Sequence, residues 1–283
     1  MRATSSFKGQ ENGLYIVPTP IGNLEDMTIR AIRILKEADI VAAEDTRQTM
    51  KLFRHFEIEN KLVSYHEHNK QVSGARLLAD LEEGKTVALV SDAGMPGISD
   101  PGSDLIRLAI EADIPVVVLP GANAALTALI ASGLSTDRFL YYGFLPRKKK
   151  DRREALETLR YEQGSLIFYE APHRLREMLQ GLLEVLGDRP VVLARELTKR
   201  YEEYIRGTVS EMIAWAAEDV RGEFVVIVEG GTGEMPEEKV LLEPLEEIEQ
   251  SVATGEKPNA AIKRVAKERG IDRQELYRLY HEQ

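Results

Sequence analysis

Short apolar runs and longer amphipathic segments alternate through the first half of the chain. Gly13 to Val17, Asp39 to Ala43, Lys61 to Tyr65, Thr86 to Val90 and Pro115 to Leu119 are brief and mostly β-branched or apolar, which predicts strands. A helix is predicted from near Thr28, where Ile29, Ile32 and Leu35 form one stripe, and a second after Asp45 or Thr46 as its cap. Gln71 to Glu83, Ser103 to Glu111 and an alanine-rich segment through Ala131 complete the alternation. Strand–helix repetition of this kind predicts a parallel sheet covered by helices.

The pattern then changes. Phe139 to Phe144, Ser165 to Tyr169, Val191 to Ala194, Glu202 to Arg206 and Phe224 to Glu229 read as strands. Helices are predicted over Arg147 to Tyr161, Pro172 to Leu186 and around Met212 to Ala217. One helix among the late strands predicts a mixed sheet. Gly230-Gly231-Thr232-Gly233 lacks a following helix start and reads as a linker, after which Glu234 to Glu249 holds seven acids against Lys239 alone. Asn259 to Arg269, a Gly270-Ile271 turn, and Asp272 to Tyr280, with Asp272 as N-cap and Glu275 in the capping-box position, outline a helix-turn-helix. The expected organisation is an α/β domain over residues 12–121, a second α/β domain with a mixed sheet over 122–232, and a helical domain over 238–283.

With 283 residues and no cysteine, disulfides, thiolate zinc sites and cysteine nucleophiles are excluded. The formal charge of −10 argues against indiscriminate coating of nucleic acid. Met1 to Gly13 is polar, so no signal peptide is read there, and no apolar stretch reaches the length of a membrane span. A cytoplasmic protein is the expectation.

Candidate chemistry collects in the segments after strands. Ser91 to Gly102 packs three glycines, two prolines and two aspartates into twelve residues behind a buried strand. That is longer and stiffer than a turn requires, and it sits where α/β sheets bind ligands. Pro18 to Leu24, Glu44 to Arg47 and Pro120 to Asn123 follow strands of the same sheet. Glu170 to Arg174 and Arg195 to Lys199 follow strands of the next. Their convergence predicts a ligand cleft between the two α/β units. No dinucleotide fingerprint, phosphate loop or serine nucleophile elbow occurs. His66, Glu67 and His68 are too few and too close to close a metal site unaided, and no metal is expected.

Five ordered motifs resemble the tetrapyrrole methylase superfamily, and within it the branch that methylates small-subunit ribosomal RNA. They are Val17-Pro18-Thr19-Pro20-Ile21-Gly22-Asn23-Leu24, Ala43-Glu44-Asp45-Thr46-Arg47, Ser91 to Gly102, Pro120-Gly121-Ala122-Asn123 and Tyr169-Glu170-Ala171-Pro172-His173-Arg174. The common Gly-Asp-Pro of the superfamily is here Ser91-Asp92-Ala93. The resemblance implies S-adenosylmethionine held between two α/β domains, a homodimer, and methyl transfer to the 2′-hydroxyl of a cytidine in small-subunit (16S) rRNA or the assembled subunit. It implies cofactor contacts from Pro20, Asp92, Gly94, Met95, Gly97, Gly121, Asn123, Ala124, Ala125 and Tyr169.

For a general base the open candidates are Asp100, His173, Glu44 and Lys199, with Asp45 and Glu170 behind them. Arg147, Lys148, Lys149, Lys150, Arg152 and Arg153 form a basic run in an acidic chain, expected to meet RNA phosphates, with Arg47 and Arg174 extending it. The rivals are a methyltransferase of tetrapyrroles and a non-enzymatic effector sensor that binds DNA through its C-terminal helices.

Overall fold

The computed structural model describes residues 12–217, 220–232 and 243–281. The chain divides into two compact units, Met1–Gly231 and Thr232–Gln283. In the first unit, β1 (Gly13–Ile16), β2 (Ile40–Ala43), β3 (Leu62–Ser64), β4 (Thr86–Val90) and β5 (Val116–Val118) form a wholly parallel sheet in the order β3-β2-β4-β1-β5. The connections carry α1 (Ile29–Glu37), α2 (Thr46–His55), α3 (Lys70–Glu82) and α4 (Ser103–Glu111). Thr28 and Asp45 cap α1 and α2, accepting from the amides of Ala31 and Arg47.

Alternate residues of each strand enter different cores. Leu14 and Ile16 pack with Tyr65, Leu77 and Leu105, whereas Tyr15 and Val17 pack with Leu35, Phe53 and Leu119. Burial on both faces is why these strands read as continuous apolar runs. It also places every strand's carboxyl end along one edge.

A fifth helix, α5 (Ala124–Ser132), starts at that edge yet packs on the second sheet. Its Ala128 and Leu129 meet Ile167, Ala194 and Ile227 there. That sheet contains β6 (Phe139–Phe144), β7 (Ser165–Glu170), β8 (Pro190–Arg195), β9 (Glu203–Thr208) and β10 (Phe224–Val228), in the order β6-β7-β10-β8-β9. Only β6 and β7 run parallel, so the sheet is mixed, as expected. Its other face is covered by α6 (Lys149–Thr158), α7 (Pro172–Leu186) and α8 (Val209–Trp215), around Leu156, Leu175, Leu179 and Met212. Helix α8 begins three residues before the sequence pattern suggests, because Thr208 and Glu211 form a capping box ahead of the apolar stripe.

The unit boundary falls after Gly231, within the Gly230–Gly233 segment read as a linker, and the two glycines before it are held to the first unit. The Gly231 amide donates to Glu162 O at 2.6 Å, and a side chain on Gly230 would collide with the carbonyl of Gln163. Much of the acidic run beyond lies outside the described residues. The second unit consists of α9 (Pro244–Ala253), α10 (Pro258–Arg269) and α11 (Arg273–His281) around Ile248, Ile262, Val265 and Leu276. Helix α9 is absent from the sequence reading, since its few apolar residues are diluted by glutamates. Gly270 ends α10 at φ 65°, and Asp272 Oδ1 caps α11 by accepting from the amides of Gln274 and Glu275 at 2.8 and 2.9 Å. Among the described residues no helix is long and apolar enough to cross a membrane.

Candidate functional site

The site begins with two strand-end segments fastened together. The amide of Thr19, after β1, donates to Gly94 O, and the amide of Gly94, after β4, donates to Thr19 O, both at 2.9 Å. Thr19 Oγ1 adds a bond to Ser91 O at 3.1 Å. Gly94 has φ 78°, a region side-chain-bearing residues enter at a cost, and a Cβ there would lie 3.2 Å from Ile21 Cγ2. These contacts fix the edge of the first sheet before any ligand arrives.

Between that edge and the second sheet lies a cavity of about 350 Å³. Gly94, Met95, Ile21, Ala124, Leu197 and Phe144 give it small and apolar walls, while Asp100, Asn123, Tyr169, Lys199 and Glu223 supply polar groups. Asn123 Oδ1 accepts from Leu126 N at 3.0 Å and so caps α5. The Ala125 amide donates to the Tyr169 hydroxyl at 3.2 Å, and Ser99 Oγ meets the Tyr141 hydroxyl at 2.6 Å, joining the first sheet's loops to the second sheet.

Charge in the cleft is unevenly matched. Burial, together with the nearby Glu44 and Asp92 carboxylates, pushes Asp100 up to about 7 against a hydrogen bond from Ser91. Burial and Asp92 also raise Glu44. Lys199 is already held by Glu223 at 2.7 Å and Glu196 at 3.0 Å, and these bonds raise it although burial opposes them. Among the described residues Asp100 has no ion pair. A cavity of this size, with apolar walls, a glycine cradle and one uncompensated carboxyl, fits an organic cation such as S-adenosylmethionine.

The cavity brings together Gly94, Met95, Asn123, Ala124, Tyr169, Asp100 and Lys199 from the sequence expectations. Asp100 lines the cavity between the sheets, whereas Asp92 and Pro20 line a second cavity of about 370 Å³ beyond the Thr19–Gly94 bridge. Asp92 Oδ1 accepts from the Asp45 amide at 3.0 Å, which turns it toward α2. Gly97 lies on a groove against α4, Gly121 packs on Pro18, and Ala125 holds Tyr169 from behind. His173 is exposed in the first turn of α7 and lines neither cavity, nor does Glu44. Arg47 pairs with Asp45 at 2.7 Å and holds it at about 2.

Two basic residues are corrected. Arg152 is only 6% exposed, donating to Arg147 O at 3.0 Å and facing Glu177, so it anchors α6 and is withdrawn from the surface. Arg174 points inward to Leu145 O at 2.7 Å and to the buried Glu170 carboxylate at 3.4 Å. Arg147, Lys148, Lys149, Lys150 and Arg153 are exposed. The His66 and His68 rings stand 6.0 Å apart, and no metal-holding group of three side chains occurs among the described residues. Tyr141, Phe144 and Glu223 were not anticipated, and Ser99 and Leu197 were anticipated only through the segments that hold them. Glu223 had a usable signal in the Gly222 turn before β10, but Tyr141 and Phe144 need the facing of β6, which the sequence does not reveal.

The fold resembles the crystal structure of the methyltransferase CobJ, with a TM-score of 0.59 and 18% identity over 77% of this chain and 94% of that one. It also resembles uroporphyrin-III C-methyltransferase from Thermus thermophilus, solved with S-adenosylhomocysteine, at a TM-score of 0.53 and 21% identity over 77% and 97%. The class is thus the two-lobed α/β fold of methyltransferases. The chain belongs to the tetrapyrrole (corrin/porphyrin) methylase family, whose profile matches residues 13–213. Relatives called ribosomal RNA small subunit methyltransferase I include one from Halalkalibacterium halodurans, 54% identical over 100% of both chains. Another, from Bacillus subtilis, is 53% identical over 99% of both.

Proposed function

We propose that this chain is an S-adenosylmethionine-dependent methyltransferase that modifies the ribose 2′-hydroxyl of a cytidine in small-subunit ribosomal RNA. The observation that carries the reading is the full-length similarity, 54% identity, to a ribosomal RNA small subunit methyltransferase I. The cofactor supplies an electrophilic methyl group on a positively charged sulfur. Asp100 provides the countercharge, Asn123 Nδ2 offers a polar contact, Gly94 allows close approach for want of a side chain, and Ile21, Met95, Ala124 and Phe144 exclude water. Holding the acceptor oxygen in line behind that methyl accounts for much of the rate.

Two supports separate this from transfer to a tetrapyrrole: the named relatives extend through the C-terminal helices, and α6 carries an exposed basic segment. Incubation with unmethylated small ribosomal subunits and mass-spectrometric mapping of ribose methylation tests the reading; absence of any new 2′-O-methyl group would end it. Charge reversal of Lys149, Lys150 and Arg153 together should weaken subunit binding and flatten its salt dependence by about two to three units of log K per log salt, with cofactor affinity unchanged.

The same reading places the protein in the cytoplasm with its substrate, as a homodimer. An apolar groove along the sheet edge, with Ile110 54% and Val118 55% exposed, supports self-association. Sedimentation velocity should give twice the chain mass.

A further inference from the structure

The second cavity has no part in holding the cofactor as described above. We propose that it seats the base of the target nucleotide, splayed out of the RNA stack, and that it reads cytosine; this rests on the ribosomal RNA reading. The two cavities share one thin wall. Ile21 and Gly94 face the first, while Pro20, Gly22, Ser91 and Asp92 face the second, with the Thr19–Gly94 bridge between them. Consecutive residues, Pro20 and Ile21, line the second and the first cavity, so a nucleotide with its base in the second carries its ribose over that rim toward the methyl donor.

The lining suits a pyrimidine. Pro20, Leu24 and Leu52 offer apolar surface to the ring faces. The hydroxyls of Thr19 and Thr49 are committed to Ser91 O and Asp45 O, at 3.1 and 3.2 Å, and cannot read a ligand as donors. Asp92 uses Oδ1 for the Asp45 amide at 3.0 Å, which leaves Oδ2 as an acceptor. Gln48 Oε1 accepts from Lys51 Nζ at 2.9 Å, so the Gln48 amide nitrogen and the remaining Lys51 hydrogens are donors. One acceptor beside donors complements the edge of cytosine, which has an amino donor beside the N3 and O2 acceptors. Uracil would set its O4 acceptor against the carboxylate. RNA is commonly read this way, through unstacked bases.

The test uses the full-length chain, labelled S-adenosylmethionine and unmethylated small ribosomal subunits. Gln48→Leu alters an exposed side chain and should lower kcat/KM for subunits about tenfold or more while the calorimetric cofactor Kd stays within about twofold. Asp92→Asn should narrow the preference for cytidine over uridine, read on subunits carrying either base at the target. The inference is overturned if cofactor affinity falls in step with transfer, which would give the cavity to the cofactor, or if both variants keep wild-type kcat/KM and base preference. If the wild-type chain transfers no methyl group to RNA, the parent reading fails and takes this one with it. If the wild type is active and both variants match it, only the assignment of the cavity is lost.

Discussion

Asp100→Asn should weaken S-adenosylmethionine binding by about 10- to 100-fold, the worth of one charge-assisted contact in a partly buried site. Calorimetry on the purified chain reads it directly. The dependence on pH provides the sharper signature. With its carboxyl pushed up to about 7 by burial and by Glu44 and Asp92, Asp100 is half protonated in the empty protein at neutrality. Cofactor affinity in the wild type should rise between about pH 6 and 8, and the asparagine variant should lose that limb.

Stability should move the other way. A carboxyl whose folded pKa exceeds its unfolded value favours folding below the unfolded value, and that contribution is lost as pH rises toward the folded one. Between about pH 4 and 7 ionisation of Asp100 therefore works against the empty fold. Above pH 7 the asparagine variant should be more stable by ~1–2 kcal/mol, after allowing for partial solvent screening. An affinity that stays the same in the variant would exclude Asp100 as countercharge.

Arg174→Met should cost about 3–5 kcal/mol, because it leaves the buried Glu170 carboxylate without its cation. Glu170 is 2% exposed; burial raises its pKa, opposed by the Ala171 amide and by Arg174. Removing the guanidinium lifts that carboxyl further, so the deficit should shrink as the solution is acidified and Glu170 takes a proton. Urea denaturation at pH 5 and pH 8 measures the difference. A Glu170→Gln, Arg174→Met pair should recover part of the loss. Unchanged stability joined to weaker RNA binding would instead return Arg174 to the phosphate-contacting role expected from sequence.

Both residues show where sequence reading works and where it stops. The parallel sheet was legible because strands buried on both faces leave unbroken apolar runs such as Thr86 to Val90. The cleft was legible because glycine and proline gather where backbones must approach, as at Gly94 and Gly121. Direction was not legible. Asp92 is turned away from the cavity between the sheets by one hydrogen bond to Asp45 across 47 positions, and no local pattern encodes it. Arg152 and Arg174 look like surface charge in a basic or mixed stretch, yet each satisfies a backbone carbonyl, of Arg147 and Leu145 respectively. Helix α9 was hidden because its packing rests on Leu245, Ile248 and Val252 alone, set amid glutamates, with only Ile248 fully buried.

Helix α5 has a consequence for how the two lobes behave. Its cap, Asn123, belongs to the strand-end edge of the first sheet, while its body is embedded in the second. Because Ala128 and Leu129 pack on Ile167 and Ile227, α5 moves with the second sheet, and any spreading of the lobes bends the chain ahead of Asn123 and pulls Ile21 off that core. What holds the cleft at its present width is the Ser99–Tyr141 hydroxyl contact and the packing of Ile21 across it. Ligand exchange should then depend on how readily that hydroxyl contact opens, and Tyr141→Phe should speed cofactor release in stopped-flow measurements.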